Sequence, residues 1–194
     1  MKGDDKHEKI IQAAIKIFAR KGFYNSKISE IAKEAQVADG TIYLYFKNKD
    51  DILINIFEKK MKEIIVKMEN ALESEKTPLD KLRRFIAIHL RLVEENRHLA
   101  EVIQIELRQS NKFMKEYVAV MFFEYLNIIS SVIKEGQEAG IIRKEVMPGI
   151  AKRAIFGALD ELSLAWVLSK SKKYTLEQTA QQMSELFLNG MAER

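Results

Sequence analysis

The chain has 194 residues, 47% hydrophobic and 31% charged, with a formal net charge of +4; this fits one compact domain or a small head on a larger body that folds and stays in solution. With no cysteine there are no disulfides or thiolate metal sites, and His7, His89 and His98 lack the i, i+4 spacing of a helical metal site. No apolar run approaches the ~18 residues of a membrane span and no basic, apolar leader opens the chain, so a cytoplasmic protein with no membrane role is expected.

Two prolines and eight glycines predict long helices with brief punctuation. In the first helix Ile10, Ile11, Ala14, Ile17 and Phe18 recur at helical spacing, and Gly22 ends it behind Arg20 and Lys21. A short second helix carries Ile28, Ile31, Ala32 and Ala35. The stretch Gln36–Gly40 interrupts it, and a third helix is predicted over Thr41–Phe46. Asn48 then caps a long helix running from Asp51 to Ala71. Thr77-Pro78-Leu79-Asp80 opens another, which runs to about Glu95. Further helices follow over Leu99–Gln109, Phe113–Ala139 and Gly149–Ser169. The last is opened by the capping box Thr175–Gln178 and ends near Asn189. The expected class is all-α, about nine helices, with no strand and no repeat.

The charge is unevenly placed. Residues 1–50 carry ten Lys/Arg against seven Asp/Glu, a net +3, and the other 144 carry 22 against 21. A basic segment of this kind suits a nucleic-acid partner. Two short helices joined by a tight turn, the second polar on one side, fit a major groove. Ile31, Ala32, Ala35, Val37, Ile42 and Phe46 would pack that pair, leaving Thr41, Tyr43, Leu44 and Tyr45 on the outer face. Hydroxyls there suit phosphates, and Leu44 suits a thymine methyl. Gly40 permits close backbone approach, and Lys47 and Lys49 stand at the exit. The alternative is a helical hairpin in which Tyr43, Tyr45 and Phe46 are ordinary core aromatics.

The runs Phe18–Phe23, Ile28–Val37 and Gly40–Leu53 resemble the signature of TetR-type transcriptional repressors, over about a quarter of the chain. The resemblance implies an N-terminal helix-turn-helix over residues 1–50. An effector-binding and dimerisation domain over 51–194 follows it, and the whole binds a palindromic operator as a homodimer. It maps DNA contacts to Ser26, Lys27, Gly40, Thr41, Tyr43, Tyr45 and Lys49. Three positions depart from the pattern. Lys27 stands where Thr or Ser usually caps the second helix, Ala38 replaces a common Ser, and Asp39 occupies a usually basic or small position. Asp39 is a candidate acceptor from a cytosine amino group.

The resemblance also implies that the last two helices form the dimer interface. The segment Gly149–Ser169 is apolar nearly all round, so it should be buried all round. Ala154, Gly157 and Ala158 would permit close helix approach, with Met183 and Phe187 contributed by the last helix. Phe122, Phe123 and Leu126 crowd one long helix, and Leu90, Val93, Ile103 and Leu107 lie on its neighbours. Leu159, Leu162 and Trp166 complete a candidate ligand wall, although such residues are as readily packed core. Arg108 and Lys112 are candidate phosphate receivers. The run Gln36–Ile54 is similar, nearly residue for residue, to the fatty-acid-degradation regulators of Gram-positive bacteria. Those are repressors relieved by long-chain acyl-CoA, and this implies the same effector here. A drug or other amphiphile is the alternative effector. A helical lipid carrier or enzyme is the alternative class, opposed by the lack of a nucleophile elbow, a phosphate-binding glycine loop or a clustered acid/base pair. No cofactor and no metal is expected.

Overall fold

A computed structural model describes residues 2–106, 119–169, 171 and 173–193. Among these residues the chain forms nine α-helices: α1 (Lys2–Lys21), α2 (Ile28–Ala35), α3 (Asp39–Ile42), α4 (Lys49–Glu73), α5 (Pro78–Glu95), α6 (Arg97–Glu101), α7 (Ala119–Glu138), α8 (Pro148–Leu168) and α9 (Leu176–Met191). A π-helical turn, Val102–Glu106, follows α6 directly. The sole extended pairing among the described residues is an isolated antiparallel bridge between Ile142 and Ala192. The class is all-α, as the periodicity predicts.

Side-chain caps fix three of the helix starts. The Asn48 side chain accepts from the Asp51 N–H at 2.8 Å, opening α4. Thr77 accepts from the Asp80 N–H at 3.1 Å and Pro78 occupies the first turn of α5, where its missing N–H is no loss. The Thr175 hydroxyl and the Gln178 amide exchange bonds with each other's backbone N–H groups at 3.0 Å, a complete capping box before α9. The helix expected over Leu99–Gln109 begins two residues early and winds into the π turn. Its end, and the expected start of the next helix at Phe113, lie outside the described residues.

The chain divides into two compact units, Met1–Lys60 with Arg97–Ala119, and Met61–Asn96 with Val120–Arg194. In the first, Ile10, Ile11, Ala14 and Phe18 of α1 meet Ile31 and Ala32 of α2, Ile42, Phe46, and Ile52 and Leu53 of α4, all at most 1% exposed. Helix α6 and the π turn pack against α1. On the surface, Glu34 joins Lys16 and Arg20, and Glu30 joins Lys21, so two acids of α2 are tied to cations of α1. Exposed pairs like these are screened by water and add little to stability.

In the second unit α5 packs against both α8 and α9. Its core joins Leu82, Phe85 and Ile86 of α5 to Leu126, Ile129 and Ile133 of α7 and Ile155 and Leu159 of α8. At Gly136 an added Cβ would lie 2.5 Å from Ile142 Cδ1 and 3.1 Å from Pro78 Cβ, so helix and loop close there over a missing side chain. The chain end is held by Arg143 N–H to Met191 O at 3.0 Å and Glu193 N–H to Ile141 O at 2.9 Å.

Thr77→Ala removes the α5 cap, and a loss of about 1 kcal/mol with a fall in Tm of about 2–4 °C is expected. Thermal unfolding checks this, and an unchanged Tm would mean that water replaces the hydroxyl.

Candidate nucleic-acid interface

Helix α2 follows Lys27, whose backbone is extended and whose side chain has no acceptor. Only the reciprocal half of a capping box is made there, from the Lys27 N–H to Glu30 Oε2 at 3.0 Å. The helix stops at Gln36, which takes φ 57° without being glycine, while the Val37 N–H returns to Ala32 O at 3.0 Å. Two residues later α3 begins at Asp39, whose carboxylate suits a helix N-terminus.

The third helix was expected over Thr41–Phe46. Instead α3 covers Asp39–Ile42 and tight turns follow, for a reason visible in the backbone. The Thr41 N–H already bonds Ala38 O at 2.8 Å, so winding starts before the Gly40 break. Leu44 and Tyr45 then bond three residues back, at 3.2 and 3.0 Å. The Phe46 N–H reaches Ile42 O at 3.0 Å, which keeps that pair in the core. The residues between are pushed outward: Tyr43 is 59% and Leu44 80% exposed. Asp39 and Gly40 are exposed beside them, and Thr41 is half-buried.

The other expected contacts divide. Lys27 and Lys47 are exposed. Tyr45 is half-buried, its ring 6.1 Å from that of His7. Ser26 is 4% exposed and its hydroxyl donates to Gly22 O at 2.7 Å. The Lys49 ammonium is turned inward and donates to the carbonyls of Phe23, Tyr24 and Ser26 at 2.7, 3.1 and 3.0 Å. It also lies 4.6 Å from the centre of the Phe23 ring. Hydrogen bonds from Lys21 to Glu30 and from Arg20 to Glu34 hold both carboxyls below the ordinary range, so both stay ionised at neutral pH.

In the second unit Leu90, Val93, Leu126 and Leu159 are buried, Phe122, Leu162 and Trp166 half-buried, and Phe123 exposed. Ile103 belongs to the first unit, in the π turn. Leu107, Arg108 and Lys112 lie outside the described residues. Along α8, Ile150, Ala154, Gly157, Ala165 and Leu168 form an exposed stripe that also carries the charged Arg153 and Glu161. Ala158, Met183 and Phe187 are half-buried. Among the described residues no cluster of three His, Asp or Glu is placed to hold a metal, and no helix is long and apolar enough to cross a membrane.

Residues 10–56 match the family model of bacterial regulatory proteins of the tetR family, and residues 57–190 match that of the YsiA-like protein C-terminal region. The chain is 40% identical over 186 residues to the fatty acid metabolism regulator protein of Bacillus subtilis strain 168, covering 96% of this chain and 95% of that one. The chain belongs to the TetR family. Two solved TetR-fold relatives agree closely. The transcriptional regulator FadR of Bacillus subtilis in complex with stearoyl-CoA superposes with a TM-score of 0.88 at 40% identity, over 94% of this chain and 98% of that one. The fatty acid degradation regulator FadR of Bacillus halodurans gives 0.87 at 37%, with the same coverage. The likeness first seen in the head therefore runs through the whole TetR-type chain.

One group in the body was not singled out from the sequence. His89 Nδ1 and the Tyr125 hydroxyl are 2.7 Å apart, among the rings of Phe85 and Phe156. Burial pushes the His89 imidazole down to about 4, against the pull of the Asp160 carboxylate, and burial pushes the Tyr125 phenol up. At neutral pH the pair is therefore an uncharged hydrogen bond inside an apolar, aromatic shell. The only sequence signal was a histidine four residues after Phe85 on the inward face of a helix, which pattern alone reads as core.

Because His89 titrates at about 4 when folded and near 6.5 when unfolded, the unfolded chain takes up the proton first as pH falls. Stability is full above pH ~6.5 and falls by on the order of 1–3 kcal/mol by pH ~4. Chemical denaturation at pH 7 and pH 5 should show a smaller pH dependence in His89→Gln than in the wild type; equal dependence would rule His89 out as the source.

Proposed function

We propose that this chain is a transcriptional repressor of fatty-acid degradation genes, binding a palindromic operator as a homodimer and released by long-chain acyl-CoA. The observation that carries the reading is the near full-length identity to a fatty acid metabolism regulator, together with the fold shared with a FadR that holds stearoyl-CoA. That likeness covers the body as well as the head, so the effector reading rests on the part of the chain that would bind it. The protein acts by binding and not by catalysis, in the cytoplasm where the operator is.

In this reading residues 1–50 meet DNA, and residues 51–194 hold the effector and the partner subunit. Tyr43, Thr41 and Gly40 approach the backbone, Leu44 and Asp39 face base edges, and Lys27 and Lys47 hold flanking phosphates. Two such heads, one per subunit, match half-sites about 34–36 Å apart. The exposed stripe of α8, with Met183 and Phe187 of α9, pairs with its symmetry mate. Buried apolar residues of α5, α7 and α8, Leu90, Leu126 and Leu159 among them, line the acyl-chain site. The effector binds the DNA-incompetent state more tightly, so operator and acyl-CoA weaken each other by the same factor.

Gly40 separates contact from stability. An added Cβ there meets nothing within 4 Å, and the position is helical. Gly40→Ala should hold or raise Tm, by up to about 1 kcal/mol of helix propensity, yet weaken binding to a duplex selected by the protein by tenfold or more. Unchanged binding would mean that no backbone approach occurs there.

Stearoyl-CoA at micromolar concentration should release the wild-type protein from that duplex in a mobility-shift titration, and free CoA and cationic amphiphiles should not. Release by the cationic amphiphile alone would replace the effector and keep the regulator. Failure to select any duplex would overturn the DNA role.

A further inference from the structure

On the reading of the chain as an acyl-CoA-released regulator, we propose that His89, oriented by Tyr125, is the point at which the body recognises the uncharged carbonyl oxygen of an acyl thioester, through the N–H of its Nε2.

Three helices of the second unit meet around this residue. Phe85 and His89 stand four apart on α5, Phe122 and Tyr125 three apart on α7, and Phe156 and Asp160 four apart on α8. Each pair therefore shares one helix face. The His89 ring lies 6.3 Å from that of Phe85 and 5.9 Å from that of Phe156, and Phe122 meets Phe156 edge-on at 4.8 Å.

Tyr125 is 3% exposed, and its hydroxyl has one hydrogen-bond partner among the described residues, His89 Nδ1 at 2.7 Å. A buried O–H with a single acceptor in reach donates to it. Nδ1 is therefore the acceptor, and the proton of the neutral imidazole resides on Nε2. Nε2 has no hydrogen-bond partner among the described residues, and it keeps open surface. The ring as a whole is half-buried, like Phe122 and Phe156. Yet burial outweighs the pull of Asp160 and pushes the imidazole down to about 4. A side chain walled in by protein that still keeps open surface lines an inward recess, because close-packed core leaves none. His89 thus presents one neutral donor among aromatic rings.

The surroundings select the acceptor. An ionised group would lose its hydration among the rings and stand near the Asp160 carboxylate, whose charge reaches His89. A thioester carbonyl is uncharged, and it sits at the head of an apolar chain that suits Phe85, Phe122 and Phe156. A free fatty acid offers the same chain with a carboxylate in that place. The donor therefore favours the activated acyl chain over the free acid.

The test measures direct binding without DNA, by calorimetry, to wild type, His89→Leu, His89→Gln and Tyr125→Phe, alongside Tm. The ligands are stearoyl-CoA, stearate, and the thioether S-octadecyl-CoA, which lacks only the carbonyl oxygen. Wild type should prefer stearoyl-CoA to the thioether by about tenfold or more. In His89→Leu the preference should shrink to about twofold or less while thioether affinity holds, and His89→Gln, whose amide still donates, should recover part of it. Stearate should bind His89→Leu as well as it binds wild type. A purely structural histidine instead lowers Tm and weakens both CoA ligands alike. That result, an equal affinity of wild type for the two CoA ligands, or a matching loss of stearate binding in His89→Leu would each overturn the proposal and leave the effector reading standing. Tyr125→Phe frees the imidazole to turn and should cut the preference by about threefold or more. It decides the matter if His89→Leu does not fold, an unchanged preference overturning the proposal. If wild type binds none of the three ligands, the effector reading falls and this proposal falls with it.

Discussion

The exposed face formed by Tyr43 and Leu44 depends on the burial of two residues four apart, Ile42 and Phe46, at 0% and 1% exposure. Side chains three and four residues apart share one face of a helical turn. Fixing this pair inward therefore fixes what the residues between them do. Tyr43 and Leu44 are driven out, and the turns tighten to three-residue bonds so that the Phe46 N–H still reaches Ile42 O. An 80% exposed leucine is an unusual outcome of a folding segment. Here it follows from the core's demand for its neighbours.

The same logic applies to α8 on a larger scale. Its sequence is apolar nearly all round, and one subunit buries only Ile155, Leu159, Ser163 and Val167 deeply. The face through Ile150, Ala154, Gly157, Ala165 and Leu168 is left in water. Gly157 and Gly190 have open space where a Cβ would stand, so nothing within the subunit requires glycine there. Gly136 contrasts with both, since Ile142 and Pro78 fill its space. Of these three, only Gly136 is required by packing within the chain.

The buried polar pair in the body shows what an apolar shell does to ionisable groups. His89 and Tyr125 are both driven toward their neutral forms, which lets one hydrogen bond satisfy two polar groups that could not remain charged there.

The sequence by itself determined the class, the order of the helices and most of their ends. Periodicity marks a buried face wherever a helix exceeds two turns, and Asn48, Thr77 and Thr175 cap through their own side chains, a local matter. It also carried the likeness to the TetR family, in the runs Phe18–Phe23, Ile28–Val37 and Gly40–Leu53. Three things were decided only by tertiary structure. The start of α3 at Asp39 depends on where Ile42 and Phe46 find their pocket, not on Gly40. The inward turn of Lys49 depends on a loop 23 to 26 residues earlier in the chain, which no local pattern connects to it. The neutral pairing of His89 with Tyr125 joins α5 to α7 across 36 residues. In each case a polar or aromatic group took its role from the carbonyls and rings that folding brought to it, and those neighbours are distant in sequence.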